Sequence, residues 1–366
     1  MKVAIVHDDL LRRGGAERVA LQFYRMFPNA TIYTLAYHKE NTYSEFKHAR
    51  VKTSIFRVLA KSELLMKFLF FPFGYWSMRG MKVSNYDLVI LSTTYAAKYA
   101  SYRNCKKIIV YCHNPFRLLW YPESYSFYDK LRGVQKSFFD SILTRFKKTD
   151  RKHAQRFDHY VANSSMVKER IEQCYEVAVD TIINPPVDLD NFDSKVERSD
   201  YYLVVSRLEP YKKVDLIIEA FNAINKPLRI VGNGTMKKKL KEMAHANIEF
   251  YHGLSDQELK AQYAAAKAFI FPQVEDFGIT PLESLASGCP VIAYAKGGIL
   301  ETMHHSENPA DSTVTYFYQQ DAKSLIEAIE KFEMQERATT SLLRGQAEKF
   351  SAQHFERNMG AYLDSI

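Results

Sequence analysis

The sequence predicts an α/β protein of two domains, each built around a parallel β-sheet. Short apolar runs typical of buried parallel strands alternate with amphipathic helical segments along the chain, and parallel strands require such crossovers. The 366 residues are enough for two separate cores. Two prolines in Asn184–Val187, followed by a polar stretch, place the expected boundary between residues 1–186 and the domain that starts at 187.

The strand candidates follow one another at regular intervals. In the first domain they are Val3–His7, Thr31–Thr34, Leu88–Leu91, Lys107–Cys112 and His159–Ala162. In the second domain they are Tyr202–Ser206, Leu228–Val231, Ile248–Tyr251, Ala268–Phe271, Val291–Tyr294 and Val314–Phe317. Open α/β sheets bind ligands at the carboxyl ends of their strands, so the residues that follow these runs are the candidates for a site.

Composition limits the functional classes. The chain has no uncharged apolar run of 18 residues and no signal-peptide pattern, so we expect a cytoplasmic protein without a transmembrane helix. The cysteines are scattered and should be reduced thiols; they are Cys105, Cys112, Cys174 and Cys289. Clustered metal ligands are not evident, and His304–His305 is expected to be a loop pair, so no metal site is predicted.

Charge is distributed unevenly between the two halves. Residues 1–190 contain 30 basic and 18 acidic side chains, a formal charge of +12, whereas residues 191–366 contain 20 and 24, a charge of −4. A basic first half indicates an anionic partner, which could be a membrane, a phosphorylated acceptor or a nucleic acid. Because the chain has no nucleic-acid-binding motif, we predict no nucleic-acid partner.

The segment from Pro272 to Pro290 is the most informative stretch. It reads as the end of a strand, a glycine loop and a helix, with Glu275 and Glu283 eight positions apart. Thr280-Pro281 predicts an N-cap followed by Pro at the first helical position, which would put Glu283 in the first turn. The carboxylates can accept hydrogen bonds from sugar hydroxyls, and amides at a helix start attract phosphate. A nucleotide sugar offers both groups, although a solvated Glu275 and a helix-capping Glu283 are the alternative.

Two cations follow the first strand of the second domain. Arg207 and Lys212 lie just beyond Tyr202–Ser206, where they could bind a diphosphate and stabilise it as it leaves. An ordinary surface Arg and Lys is the alternative. Gly232 and Asn233, beyond the next strand, are also expected at this substrate edge.

The first domain has two further candidates. Gly14-Gly15 lies between the first strand and a helix, where glycines let a backbone approach a ligand, or simply make a turn. His113 ends a strand and could hydrogen-bond a sugar hydroxyl, or serve as a structural histidine.

Together these segments resemble the retaining GT-B glycosyltransferases of family 4. The pattern Glu, seven residues, Glu, with Asp-Phe-Gly after the first Glu, is the main point of similarity, and Arg-Leu…Pro…Lys, Gly-Gly-Ala-Glu and His-x-Pro support it. Matching segments run from Lys2 to about Lys331. His7-Asp8, Tyr111-Cys-His-Asn-Pro and Pro210-Tyr-Lys-Lys favour the O-antigen-type mannosyltransferase branch, although Asp9 stands where that branch has Trp.

The resemblance implies two facing Rossmann-like domains with the donor in the cleft, the second domain ending near 349 and a helix at about 350–366 crossing back to the first. It implies GDP-mannose as donor, a lipid-linked glycan as acceptor and no metal. Arg207 and Lys212 would hold the diphosphate, and Glu283 the ribose. Glu275 and the amides of Phe277, Gly278 and Ile279 would hold the donor sugar, and His113 would act near it.

A membrane surface is predicted from aromatic segments that carry cations. One lies within residues 54–80; its candidate residues are Lys61, Lys67, Phe70, Phe71, Phe73, Trp76 and Arg79. A second lies within 120–157 and includes the basic run Arg145–Lys148. Such faces suit anionic lipid on the inner side of the cytoplasmic membrane. The alternative is a pair of core helices with a solvated basic face.

Three other functions remain open at this point. The protein could use another nucleotide sugar, or it could be a sugar-nucleotide epimerase of the same fold, which would convert the donor without an acceptor. It could also be a non-catalytic basic protein that binds membranes or nucleic acid, which would have no affinity for nucleotide sugars and would tolerate loss of Glu275.

Overall fold

The computed structural model describes residues 1–56, 73–125, 127–189 and 197–366. The chain divides into two compact units. The first comprises Met1–Pro186 together with Phe355–Ile366, and the second comprises Val187–His354. Each unit has its own parallel sheet with helical crossovers, which confirms the predicted α/β class.

The first unit is built around a seven-stranded sheet. The strands of this unit are β1 (Val3–His7), β2 (Thr31–Thr34), β3 (Arg50–Thr53), β4 (Lys82–Ser84), β5 (Leu88–Thr93), β6 (Ser101–Arg103), β7 (Lys107–Cys112), β8 (His159–Ala162) and β9 (Thr181–Ile182). The sheet order is β3-β2-β1-β5-β7-β8-β9, and β4 pairs separately with β6; all pairings are parallel. The five predicted strands are present. The edge strand β3 was missed because it is partly exposed and has no apolar run.

The second unit is built around a six-stranded parallel sheet, and all six of its strands were predicted. They are β10 (Tyr202–Val205), β11 (Leu228–Val231), β12 (Ile248–Tyr251), β13 (Ala268–Phe271), β14 (Val291–Tyr294) and β15 (Val314–Phe317). The order is β12-β11-β10-β13-β14-β15. The central strand β13 is buried at every position, as expected for a strand covered on both faces.

Helices connect the strands of both sheets. In the first unit they are α1 (Gly15–Met26), α2 (Tyr75–Arg79), α3 (Arg117–Trp120), α4 (Gly133–Ala154) and α5 (Ser165–Tyr175). In the second unit they are α6 (Val214–Ile224), α7 (Lys237–Met243), α8 (Asp256–Ala265), α9 (Ile279–Ala286), α10 (Ile299–Thr302), α11 (Ala322–Met334) and α12 (Thr340–Glu348). Among the helices that the structure describes, none is both long and apolar enough to cross a membrane.

The final helix, α13 (Ala352–Ser365), completes the core of the first unit. The Phe355 ring is buried and packs edge-on against Phe23 and Tyr111, with ring centroids 5.4 and 5.9 Å apart. The Tyr362 hydroxyl donates to Asp180, and the Lys107 ammonium donates to the carbonyl oxygen of Ile366. The chain therefore returns to its first unit after completing the second.

A buried ion pair fixes the carboxyl-terminal half of α4. The Lys98 ammonium lies 3.0 Å from an Asp150 carboxylate oxygen, and both side chains are almost fully buried. The Tyr99 hydroxyl and the Trp120 indole also donate to Asp150, at 2.5 and 2.7 Å. Breaking such a pair leaves an uncompensated charge in the core, so this end of α4 is held firmly against the sheet.

The four cysteines are free thiols. Burial raises the pKa of Cys112, Cys174 and Cys289, so these three remain protonated at neutral pH.

Each sheet has one point where the strand order changes direction. In the first sheet the chain moves from β1 outward to β3 and then restarts at β5, on the other side of β1. In the second it moves from β10 outward to β12 and restarts at β13. The connections on the two sides of such a point cover opposite faces of the sheet, which leaves a crevice at the carboxyl ends of the strands. This crevice is the usual ligand site. The candidate sites are therefore the loops after β1 and β5, and those after β10 and β13.

Candidate functional site

The loop after β10 carries the two cations predicted to bind phosphate, but their environments differ. Lys212 ends a 3-10 turn, Pro210–Lys212, and only 9% of the residue is exposed. Arg207 is exposed, and its guanidinium donates to the Tyr211 hydroxyl at 2.7 Å. Lys212 is thus fixed in the crevice, whereas Arg207 lies at the surface nearby in sequence.

The loop after β13 supplies the partner of Lys212. The Lys212 ammonium and the Glu275 carboxylate form a hydrogen-bonded ion pair across the switch point of the second sheet. From the sequence, Lys212 was expected to bind phosphate and Glu275 to bind sugar. In the structure, the cation and the carboxylate are in direct contact.

Gln273 is a site residue that the sequence analysis missed. It is 3% exposed, and its side-chain amide donates to the same Glu275 carboxylate oxygen at 3.3 Å. Lys212 and Gln273 together direct that oxygen of Glu275 inward. The available signal was its place two residues after a buried strand, at the edge where ligands bind.

Helix α9 begins earlier than predicted. Its N-cap is Gly278, in the left-handed conformation with φ of +94°, and its first residue is Ile279. The prediction that Thr280 caps the helix and Pro281 begins it is therefore wrong. Gly278 lets the chain turn directly into the helix, and Pro281 falls within the first turn, where its missing N–H has no intrahelical acceptor.

As a result, Glu283 lies in the second turn of α9, whereas the prediction put it in the first turn. It is partly buried, and the Tyr263 hydroxyl lies 3.5 Å from its carboxylate. The Phe277 side chain is buried and packs against Phe350, with centroids 5.7 Å apart. At Phe277, only the backbone is left for a ligand.

The predicted residues Gly232 and Asn233 support the loop after β10 through backbone contacts. A Cβ on Gly232 would lie 1.9 Å from the Ser206 carbonyl oxygen, so only glycine allows this approach. The Asn233 carbonyl accepts from the Leu208 amide at 3.0 Å. Their observed role is to hold the loop that leads to Lys212.

In the first unit, Asp8 organises the loop after β5. This buried carboxylate accepts hydrogen bonds of 2.6 to 2.9 Å from four successive backbone amides, those of residues 94–97, and from the Thr93 hydroxyl. Burial acts to raise the pKa of Asp8, but the neighbouring His7 and the amides outweigh it, so the pKa is lowered. From the sequence, Asp8 entered only as part of the family resemblance, because its hydrogen-bond partners lie more than 80 positions away.

His113 follows β7 at the same edge. Its Nε2 lies 2.8 Å from the Ser92 hydroxyl, and that hydroxyl also lies 3.1 Å from Nδ1 of His7. Burial, with His7 nearby, lowers the pKa of His113 to about 3, although Asp8 opposes the shift. His113 is therefore a neutral imidazole at physiological pH, able to hydrogen-bond but not to carry charge.

The loop after β1 leads into α1 through Gly14. Asp9 in this loop and Glu17 in the first turn of α1 form a second acidic group. Arg12 joins Asp9 at 3.5 Å and Glu17 at 3.2 Å, and the Tyr95 hydroxyl donates to Asp9 at 2.6 Å. Burial raises the pKa of Glu17, and Asp9 adds to the shift. A Cβ on Gly14 would lie 2.4 Å from the Glu17 carboxylate. A larger residue at position 14, the N-cap of the helix that starts at Gly15, would require the end of the Glu17 side chain to move.

The predicted membrane residues are only partly described. Lys61, Lys67, Phe70 and Phe71 lie outside the described residues. Phe73 and Trp76 are more than half exposed, and the Arg79 guanidinium lies over the Tyr75 and Trp76 rings at 5.8 and 5.6 Å. Within the described ranges, no group of three or more His, Cys, Asp and Glu could hold a metal ion.

Comparison with known families accounts for nearly the whole chain. Residues 13–191 match the model described as Glycosyltransferase Family 4. Residues 188–350 match the model described as Glycosyl transferases group 1.

Three sequence relatives are mannosyltransferases. The alpha-1,3/1,6-mannosyltransferase ALG2 of Kluyveromyces lactis is 25% identical, over 86% of this chain and 73% of its own. The O-antigen chain mannosyltransferase RfbU of Salmonella typhimurium is 25% identical, over 64% of each chain. The GDP-mannose-dependent alpha-(1-6)-phosphatidylinositol monomannoside mannosyltransferase of Mycobacterium tuberculosis is 31% identical, over 39% of this chain and 46% of its own.

A solved structure shares the fold. HepE of Anabaena, crystallised in complex with UDP, superposes with a TM-score of 0.73, at 17% identity and with full coverage of both chains. Its similarity identifies the architecture as GT-B.

The lowered pKa of His113 predicts an acid-sensitive first unit. The folded imidazole stays neutral down to a pKa of about 3, whereas the unfolded one gains a proton near pH 6.5. The unfolded state therefore binds more protons as pH falls below 6.5, and stability falls with it. Between pH 7 and pH 5 the wild type should lose about 2 kcal/mol of unfolding free energy that His113→Gln does not lose.

Denaturant titrations at the two pH values measure this difference. His48→Gln, at an exposed histidine of the same unit, is the matched control and should show the wild-type pH dependence. If His113→Gln also follows the wild type, the folded protein does not lower the pKa of His113.

Proposed function

Since the chain belongs to the family 4 glycosyltransferases of GT-B fold, we propose that it transfers mannose from GDP-mannose to a lipid-linked oligosaccharide, with retention of anomeric configuration. The product would be part of a surface polysaccharide such as an O-antigen. The observation that carries the donor side is the Lys212–Glu275 pair at the switch point of the second sheet. The pair puts a cation, which can bind the diphosphate, beside a carboxylate, which can accept hydrogen bonds from the sugar hydroxyls.

The second unit is assigned to the donor. Lys212, with Arg207 at the surface, would bind the diphosphate, and the amides at the start of α9 would add their partial positive charge. Glu275 would accept from sugar hydroxyls with the oxygen not held by Gln273, and Glu283 would accept from the ribose. Mannose and GDP are supported by the names of two relatives, RfbU and the GDP-mannose-dependent mycobacterial enzyme.

The first unit is assigned to the acceptor side. The neutral His113 would hydrogen-bond a hydroxyl of the transferred sugar, and the loop around Gly14-Gly15 would contact the acceptor. The acceptor hydroxyl oxygen would bond to the anomeric carbon as the bond from that carbon to the diphosphate breaks. The hydroxyl proton would pass to the leaving phosphate oxygen on the same face. A lipid-linked acceptor would require the protein to work at the inner face of the cytoplasmic membrane.

A panel of nucleotide sugars tests the donor. GDP-mannose should raise the melting temperature more than UDP-glucose, UDP-galactose or GDP-glucose do, since both base and sugar would be recognised. Product analysis without acceptor should find no other nucleotide sugar. A larger shift with a UDP-sugar would overturn the choice of GDP-mannose, and conversion of the sugar without acceptor would make the protein an epimerase.

Lys212→Ala should reduce the transfer rate by ~10²–10³, because losing one charge-assisted contact to a leaving group costs on the order of 2–4 kcal/mol. Arg207→Ala should act in the same direction, and the two effects should not add. Lys213→Gln changes the exposed neighbour and is the matched control. Steady-state kinetics within threefold of wild type for Lys212→Ala would remove this residue from the phosphate site.

Glu283→Ala should weaken binding of GDP more than it slows the chemical step, because its proposed partner is the ribose. A hydrogen bond to a charged group contributes roughly 1.5–3 kcal/mol, so affinity should fall on the order of 10- to 100-fold. Calorimetry with GDP measures the affinity. Tyr263→Phe, which removes the hydroxyl 3.5 Å from Glu283 but keeps the carboxylate, is the control. Unchanged affinity would leave Glu283 a structural residue of α9.

Chelation of divalent cations should leave transfer intact. The proposal assigns the neutralisation of the diphosphate to Lys212, Arg207 and the amino end of α9, so no step requires a metal. Activity is compared with and without EDTA after dialysis. Loss of transfer on chelation with recovery on addition of manganese would contradict this assignment.

A further inference from the structure

Helix α4 is longer than the sheet that it crosses. It connects β7 to β8, which are parallel neighbours, so it must run antiparallel to both. Its 22 residues span about 33 Å at ~1.5 Å per residue. The six residues of β7 span about 20 Å. Roughly eight residues of α4 must therefore extend past one edge of the sheet.

The burial pattern shows which end extends. Asp150 and Ala154, near the carboxyl end of α4, are fully buried, and the Lys98–Asp150 pair fixes this end. At the other end, every residue from 132 to 138 is exposed. The amino end of α4 thus projects at the carboxyl edge of the first sheet. His113, which directly follows β7, lies at that same edge.

The projecting end carries apolar side chains that are largely exposed. We call residues 130–138 the α4 tip. Val134 is 85% exposed and Phe138 is 68% exposed. Behind them, Phe127 packs against Phe139, with ring centroids 5.8 Å apart, and remains 42% exposed. Apolar exposure concentrated at one projecting point is the usual mark of an interaction surface.

The α4 tip also carries a net positive charge. The tip contains Lys130, Arg132 and Lys136 and no acidic residue. Val134 and Phe138 also begin an exposed stripe at helical spacing that continues through Ser141 to Arg145 and Lys148. The Lys136 ammonium lies over the Tyr128 ring at 5.0 Å, but the residue is exposed. Lys147, over the Trp120 ring at 5.6 Å, is half-buried, so only part of the predicted basic run faces outward.

We propose that the α4 tip docks the first unit on an anionic membrane surface, with Val134 and Phe138 entering the bilayer interface. Arg132 and Lys136 would contact the lipid phosphates, and Arg145 and Lys148 would follow along the exposed stripe. Apolar residues within a ring of cations match an anionic bilayer in both properties. A second copy of the chain is a poorer occupant, because a two-fold symmetric contact would bring the same cationic patch of both copies together.

The inference deepens the proposed function, on whose lipid-linked acceptor it rests. Because the tip projects from the edge where His113 lies, docking would bring the acceptor side of the first unit toward the membrane. Tyr75, in the predicted segment around Phe73 and Trp76, packs against Phe146 of α4. The tip and that segment use different residues, so they can still be tested against each other.

Vesicle co-sedimentation tests the proposal. The full chain is mixed with phosphatidylcholine vesicles, with or without about a third phosphatidylglycerol, at low and at high salt. Wild type should bind the anionic vesicles at low salt and be released by high salt, since exposed charges are screened beyond ~10 Å at 0.1 M. Each cation near such a surface raises binding about fivefold, so Arg132→Glu/Lys136→Glu should reduce it at least tenfold.

The apolar contribution has its own variants. Val134→Ser/Phe138→Ser should reduce binding at least tenfold and leave the melting temperature unchanged, because both side chains are exposed. Met334→Ser, at a residue 85% exposed in the second unit, and Lys239→Glu are the matched controls and should bind as wild type. Phe73→Ser/Trp76→Ser tests the competing surface.

The outcomes separate this proposal from the proposed function. Loss of vesicle binding in both tip variants, with GDP-mannose affinity unchanged, supports docking. Wild-type binding by the tip variants, or loss only in Phe73→Ser/Trp76→Ser, overturns it. A concentration-dependent dimer that the tip variants abolish would make the tip a contact between copies, which also overturns it. Failure to bind any nucleotide sugar would instead contradict the proposed function.

Discussion

The parallel arrangement of every strand in both sheets is the constraint on which the rest depends. Parallel neighbours cannot be joined by a tight turn, so each connection crosses a face, usually as a helix, and every strand ends at the same edge. Residues far apart in sequence therefore meet where strands end. Asp8 follows β1 and binds the loop after β5; Lys212 follows β10 and binds Glu275 after β13. Both contacts lie at the switch point of their sheet.

The two units stabilise a charge in the crevice in different ways. Asp8 is satisfied by four amides, which are fixed by backbone geometry, and by the Thr93 hydroxyl, so its charge supports the structure. Lys212 is satisfied by a side chain, Glu275, that can change partners. A bound diphosphate would compete with Glu275 for the same ammonium. In the proposed function, donor binding therefore exchanges one anion for another at Lys212, which avoids leaving a buried charge unpaired.

The sequence was sufficient for the strands with an apolar run and for the segments that carry the site, because both depend on local patterns. The short, partly exposed strands β3, β4, β6 and β9 were not predicted. Buried parallel strands are continuous apolar runs, and this identified eleven of them. Contacts between distant segments were not accessible: nothing near Asp8 indicates that residues 94–97 will bind it, and Lys212 lies 63 positions from Glu275. The predicted start of α9 was wrong for another reason. Thr280-Pro281 is a sound local signal, but the left-handed Gly278 began the helix before it. The family resemblance supplied the roles, which the fold alone does not.

The return of the chain to the first unit has a consequence for biosynthesis. Phe355 fills a place between Phe23 and Tyr111, yet it is made only after all of the second unit. While the ribosome completes residues 187–354, the emerging first unit has an unfilled apolar position in its core. The second unit is continuous in sequence and has no such gap. The order of synthesis and the order of completion are therefore reversed: the unit that begins first is the last whose core can close.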